Sequence, residues 1–242
     1  MVYADRLGEP RQVLDDVSLE VAPNEFVAIV GPSGCGKTTL IKIVQGLTRP
    51  TAGRVMVGGA SVSDTPPDAG FVFQHDSLLP WRTVFENVAF PLELKKAGRR
   101  RDRERIEHLI SLVGLEGFGA SYPHELSGGM RQRVNLARAL AASPDVLIMD
   151  EPFAALDALT RAQMQTELLR IWSEEKKTVL FVTHQIDEAV LLADRVVTMT
   201  ARPGRIAVIV KVSLPRPRSA ETRHDRDFKE MVDYLWDRLH EE

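Results

Sequence analysis

Three short apolar runs rich in β-branched residues interrupt an otherwise mixed chain: Phe26–Val30, Val146–Met149 and Val179–Val182. Runs of this length without polar alternation predict strands buried on both faces, as in a parallel sheet. A glycine-rich loop follows the first run, and Thr39 through Leu47 then reads as a helix. Residues from about 10 to 74 read as short strands around that helix, with turns at Pro50-Thr51-Ala52-Gly53 and Pro66-Pro67. From Asp76 to Glu125 strand patterns stop and helical stretches take over, broken by Gly98, Gly114 and Gly117. Strands alternating with helices resume to about Leu192, followed by strand-like Arg195–Thr200 and Arg205–Leu214. Phe228, Met231, Val232, Leu235 and Leu239 fall on one face of a closing helix. The pattern predicts an α/β fold with a helical insert: a core of residues 1–75 and 144–242 around an insert of 76–143.

Composition narrows the function classes. With 242 residues, 44% of them hydrophobic, the chain can bury a substantial core. A net charge of −3 disfavours nucleic acid as a partner. Cys35 is the only cysteine, which rules out an intrachain disulfide, and neither a secretory signal nor a long apolar run is present. A cytosolic chain that does not itself span a membrane is expected.

The chemistry concentrates at strand ends. Gly31-Pro32-Ser33-Gly34-Cys35-Gly36-Lys37-Thr38 lies between a strand and a helix that begins near Thr39, the context a phosphate-binding loop requires. Its glycines let backbone N–H groups turn onto phosphate oxygens, and the helix N-terminus adds partial positive charge. Lys37 can bridge the β- and γ-phosphates of ATP, and the Thr38 hydroxyl suits Mg²⁺, which prefers oxygen. The second run ends in Asp150-Glu151. Ligands of open α/β sheets bind at the carboxyl ends of strands, so Asp150 is a candidate for holding Mg²⁺ and Glu151 for polarising the attacking water.

Four further blocks carry a resemblance. Gln74 after Gly70-Phe71-Val72-Phe73, Leu126-Ser127-Gly128-Gly129-Met130-Arg131-Gln132, Ala154-Ala155-Leu156-Asp157, and His184 after Val179–Thr183 stand in this order around the two strands. With the phosphate loop they resemble the signature, Q-loop, D-loop and switch histidine of the ATP-binding-cassette (ABC) family. The resemblance implies a P-loop NTPase core with a small antiparallel β subdomain and a helical insert. It also implies that two cassettes pair head-to-tail, as a homodimer or with a similar ATPase, each presenting Ser127, Gly128 and Gly129 to its partner's γ-phosphate. Asp157 would sit at that interface. Gln74 would touch Mg²⁺ or the water, and His184 the γ-phosphate. Tyr3 is the candidate to stack on adenine, although only Met1 and Val2 precede it, which suggests a missing first edge strand or a misassigned start.

Leu78-Leu79-Pro80-Trp81 and Ala201-Arg202-Pro203-Gly204-Arg205 look like the nitrate/sulfonate/taurine branch of bacterial importers. That implies ATP hydrolysis coupled to solute transport at the cytoplasmic face of the cell membrane. A transmembrane permease would dock on the helical insert, and a periplasmic or extracellular solute-binding protein would be an indirect partner. The apolar residues at 78–81 with Val84 and Phe85 suit a groove for an amphipathic helix, or equally the insert's own core. Lys95-Lys96-Ala97-Gly98-Arg99-Arg100-Arg101-Asp102-Arg103 reads as a loop leading into a solvated helix. Asn24 replaces a glycine usual before Glu25, and Ala154 a usual serine. The rival reading is a soluble cassette serving cofactor assembly or cell division, which would share every catalytic block but not the importer-like ones.

Overall fold

The computed structural model describes residues 1–4, 9–64, 66, 69–74, 77–94 and 99–240. Pro67, His75, Lys95–Gly98 and the side chain of Tyr3 lie outside the described residues. In chain order the elements are β1 (Val2–Ala4), β2 (Pro10–Gln12), β3 (Phe26–Val30), α1 (Lys37–Val44), β4 (Met56–Val57), β5 (Ala60–Ser61), β6 (Ala69–Val72), α2 (Val84–Leu94), α3 (Arg99–Leu112), α4 (Gly128–Ala141), β7 (Val146–Asp150), α5 (Ala158–Glu175), β8 (Thr178–Val182), α6 (Ile186–Leu192), β9 (Arg195–Met199), β10 (Ile206–Lys211) and α7 (Arg226–His240). They form two compact units, Met1–Ala69 with Thr178–Glu242, and Gly70–Lys177.

In the first unit the strands run β10-β9-β3-β8. β3 is parallel to both β8 and β9, and β10 closes the edge antiparallel to β9. All five β3 residues are fully buried, as an unalternating apolar run requires. Phe26 packs on Phe181 with ring centroids 5.8 Å apart, and burying each such ring stabilises the fold by about 1.5–3 kcal/mol. Two antiparallel pairs, β1–β2 and β4–β5, supply the small β elements. Asn24, standing where the family pattern has glycine, adopts φ 60°, a left-handed conformation that Asn tolerates better than most residues. Its amide donates to the Thr178 hydroxyl at 3.0 Å.

α7 docks against α6 and β9 through the expected face, with Phe228 and Leu235 buried and Met231, Val232 and Leu239 half-buried. Between β10 and α7, two arginines cap the carbonyl end of α6. Arg218 donates to the carbonyls of Val190, Leu191 and Ala193, and Arg216 to that of Leu192 and to Asp194. Burial pushes the Arg218 pKa down to about 10, with the neighbouring Arg216 charge acting in the same direction.

In the second unit β6 lies beside β7, α2, α3 and α4 pack on one another, and α5 packs on α4. α2 begins with a capping box: the Glu86 amide donates to the Thr83 hydroxyl and the Thr83 amide to the Glu86 carboxylate. Asn87, fully buried, accepts from the Leu79 amide at 2.8 Å and donates to the carbonyls of Leu79, Arg82 and Thr83. That one side chain satisfies the turn leading into α2. Arg105 caps α4 through the carbonyls of Leu140 and Ala141. Arg103 pairs with Glu107 at 2.9 Å and lies over the Phe85 ring, so this member of the basic run is used within the unit.

Candidate active site

The first unit carries the phosphate loop and the histidine. The loop leaves the end of β3 and turns into α1 at Gly36, which has φ 97° and no room for a side chain because a Cβ would meet Leu14. No side chain caps α1 and no acid occupies its first turn, so the helix N-terminus has no side-chain acceptor. Lys37 is buried, its ammonium donating to the carbonyls of Gly31 at 2.6 Å and Pro32 at 3.1 Å. Those bonds fold the cation across the loop, in reach of a phosphate bound there. Cys35 is buried behind the loop, its sulfur 3.7 Å from the Lys37 Nζ. Pro32, Ser33, Gly34 and Thr38 are exposed, and Thr39 is half-buried.

β8 lies parallel to β3 with Val182 opposite Ile29, and the Thr183 amide donates to the Ile29 carbonyl at 3.1 Å. His184 and the phosphate loop therefore emerge at the same end of adjacent strands. The Thr183 hydroxyl donates to buried Glu188 and accepts from the Gln185 amide at 3.1 Å. This fixes the bend between β8 and α6 and leaves the His184 ring exposed.

The second unit carries the acids, Gln74 and the signature. Asp150 ends β7 half-buried, and Glu151 follows with φ 44°, a turn that redirects the chain as the strand stops. Gln74 is exposed two residues beyond β6, the neighbour of β7. Ser127 caps α4, its hydroxyl accepting from the Met130 amide at 3.3 Å. Gly129 is buried and a Cβ there would run into the Thr160 methyl in the first turn of α5. α5 is capped by Asp157, whose carboxylate accepts from the amides of Leu159 at 3.1 Å and Thr160 at 3.0 Å. Bonds from Thr160 hold the Asp157 carboxyl below its ordinary pKa of 3.8. The unit thus brings the signature and the Asp157 turn together through a glycine–threonine contact.

Comparison with known proteins identifies the family. The ABC transporter family pattern matches residues 14–154. The chain belongs to the ABC transporter family. An uncharacterized ABC transporter ATP-binding protein of Methanocaldococcus jannaschii is 54% identical over 227 residues, covering 94% of this chain and 83% of that protein. A taurine import ATP-binding protein of Rhizobium johnstonii is 46% identical over 227 residues, covering 94% and 86%. Among solved structures, a dimeric ATP-binding cassette in a post-hydrolysis state with ADP and Pi superposes with a TM-score of 0.76 at 34% identity, covering 88% of this chain and 96% of that one. The cassette is an ATPase, of the branch that includes the nitrate, sulfonate and taurine import subunits.

Sequence reasoning overlooked what stands behind the loop in this cassette. Gly204 packs so closely on the Cys35 carbonyl that a Cβ would overlap it, while its amide donates to the Val13 carbonyl at 2.8 Å. Arg205 pairs with Asp15 and holds that turn in place. The Ala201–Arg205 block, which suggested a branch, therefore also supports the phosphate loop. The Thr38 hydroxyl, exposed in the first turn of α1, is an oxygen donor of the kind Mg²⁺ accepts beside nucleotide phosphates. Among the described residues no group of three or more His, Cys, Asp or Glu could cage a metal ion. Mg²⁺ needs few protein oxygens where phosphates and waters complete its shell.

Proposed function

We propose that this ATPase drives a membrane importer for a small solute of the nitrate, sulfonate or taurine kind, working as one of two paired cassettes on the cytoplasmic side of a permease. The observation that carries the transport reading is the surface after Gln74. Leu78 and Val84 are buried in the insert, whereas Trp81 is 71% exposed beside them. An indole left in water next to a sealed core is a binding anchor in search of a partner. Phe85 helps line a cleft of about 590 Å³ between Thr83 and Ala120, in the same unit. The importer names of its relatives agree with a permease as that partner.

In the proposed mechanism the open N-terminus of α1 and the amides of residues 31–38 take the phosphates of ATP. Lys37 exchanges loop carbonyls for β- and γ-phosphate oxygens. Thr38 and Asp150 would hold Mg²⁺, which when bound neutralises charge on the β- and γ-phosphates, and Gln74 would stand at the same place. Glu151 accepts a proton from the attacking water as its oxygen bonds to the γ-phosphorus and the β–γ bridge breaks, releasing ADP and phosphate. His184 orients the γ-phosphate and the water. Ser127, Gly128 and Gly129 close on the partner cassette's ATP, so that nucleotide joins the two copies and hydrolysis releases them. Tyr3 is proposed for adenine stacking.

Affinity purification of the tagged cassette from detergent-solubilised native membranes tests the transport reading. A multi-spanning permease should co-purify, and its solute-binding protein should then reveal the ligand. Recovery of a soluble assembly or division protein instead would overturn transport and leave the ATPase intact.

A further inference from the structure

Helix α4 grips the segment that contains Gln74 at both ends. Before it, the Gln132 side-chain amide donates to the Phe73 carbonyl at 3.5 Å. After it, the Arg138 guanidinium donates to the Ser77 carbonyl at 2.7 Å and to the Ser77 hydroxyl at 3.0 Å. The same guanidinium is oriented by a 2.6 Å bond to the side-chain oxygen of Asn135, which is fully buried. Gln132, Asn135 and Arg138 are spaced by three along the helix and so share one face. The N-terminus of this helix presents Ser127 and Gly129. One rigid rod therefore carries the signature at its start and holds the chain around Gln74 through its side.

We infer that Arg138 is a positioning residue for ATP hydrolysis: it locks the Gln74 segment to the signature helix, so that the two move as one body. The inference rests on the proposed role of Gln74 at Mg²⁺ or the attacking water. Its physical basis is the planar fork of arginine. Nη1 and Nη2 are directed in fixed relation, so one side chain can hold the Ser77 backbone and hydroxyl while itself being held by Asn135. A lysine offers one point of attachment and loses that orientation. Without the fork, the hydroxyl and carbonyl of exposed Ser77 turn to water, and Ser77 no longer follows a displacement of α4.

The test is ATPase kinetics of the cassette with a double-variant cycle. Arg138→Met should lower kcat by about tenfold or more with little change in KM for ATP, because an ångström-scale misplacement of a positioned group costs about that much. Arg138→Lys should fall between it and the wild type, and Ser77→Ala should show a smaller loss. The decisive comparison uses Gln74→Ala: the Arg138→Met/Gln74→Ala double variant should be no slower than Gln74→Ala alone, since both changes disable one device. A purely structural role would lower Tm and multiply the two losses, and either a multiplicative double variant or an unchanged kcat in folded Arg138→Met overturns the inference. Should Arg138→Met not fold, Ser77→Ala carries the same cycle. Unchanged kcat in Gln74→Ala would refute the proposed role of Gln74 and the inference with it, which separates that failure from a failure of Arg138 alone.

Discussion

Two glycine-fronted helix N-termini, α1 in one unit and α4 in the other, differ in what completes them. α1 has no capping side chain, and the residue that opens it is a buried lysine resting on loop carbonyls. α4 is capped by a neutral hydroxyl from Ser127, which satisfies one amide and adds no charge. α5, which packs beside α4, is capped by the Asp157 carboxylate, so its positive end is already compensated. The difference sorts three similar features by chemistry. The first can cradle an anion unaided, the second can add to an anion held elsewhere, and the third has its anion built in. A site that must hold ATP before its partner arrives needs the first kind, and a surface that closes over another copy's ATP needs the second.

The largest expected effect separates holding nucleotide from hydrolysing it. Glu151→Gln keeps the size of a side chain at the turn after β7 but removes its basicity. Turnover should fall by roughly 10²–10⁴-fold, the scale of a general base, while ATP affinity stays with the α1 cradle. Steady-state hydrolysis and nucleotide titration measure the two quantities separately. Near-normal turnover would remove Glu151 from the role, and a matching loss of affinity would show that α1 does not hold ATP by itself.

Ser127→Arg probes the second N-terminus. It removes a cap worth about 1 kcal/mol and places a cation at the positive end of α4, a modest loss to folding. In the paired state the same side chain would fill the space intended for a γ-phosphate, so ATP-induced dimerisation, read by light scattering, should be lost. ATP affinity of the isolated cassette should not change. A variant that dimerises normally with ATP would contradict the trans arrangement, and one that no longer binds ATP as a monomer would place the signature at its own nucleotide.

What could be read from the sequence follows the length of chain over which each feature is built. The phosphate loop, its strand and its helix are contiguous, so residues 26–47 showed the element order, although the helix starts at Lys37 rather than Thr39 because Gly36 takes the left-handed turn that opens it. The amphipathic face of α7 was equally legible, since its period is local. The strand expected over Arg205–Leu214 is shorter, Ile206–Lys211, its pairing with β9 running from Ile206 opposite Met199 to Lys211 opposite Arg195. Contacts made by distant residues left no pattern to read. Gly204 against Cys35, Arg218 on the end of α6, and Arg138 on Ser77 each depend on tertiary packing that no periodicity or motif announces. For Leu78–Phe85 the sequence allowed either a core or a binding surface, and the structure divides it: Leu78 and Val84 are core, Trp81 is surface.

The smallest effect belongs to the third N-terminus, and it carries a pH signature that the other two lack. Asp157→Asn retains a good cap, because asparagine is nearly as effective as aspartate at that position, but it removes the negative charge that compensates α5. The Asp157 carboxyl is held below its ordinary value of 3.8 chiefly by its bonds from Thr160. A carboxyl whose pKa is depressed by folding contributes stability that is complete above its unfolded pKa and is lost as pH falls through the folded value. Wild type should therefore melt slightly above Asp157→Asn at neutral pH, and the gap should close as pH drops below about 4. Melting curves across that range decide it. A gap that persists in acid would mean that the carboxylate contributes by shape alone, and the contrast between a charged cap on α5 and a neutral one on α4 would then lose its electrostatic basis.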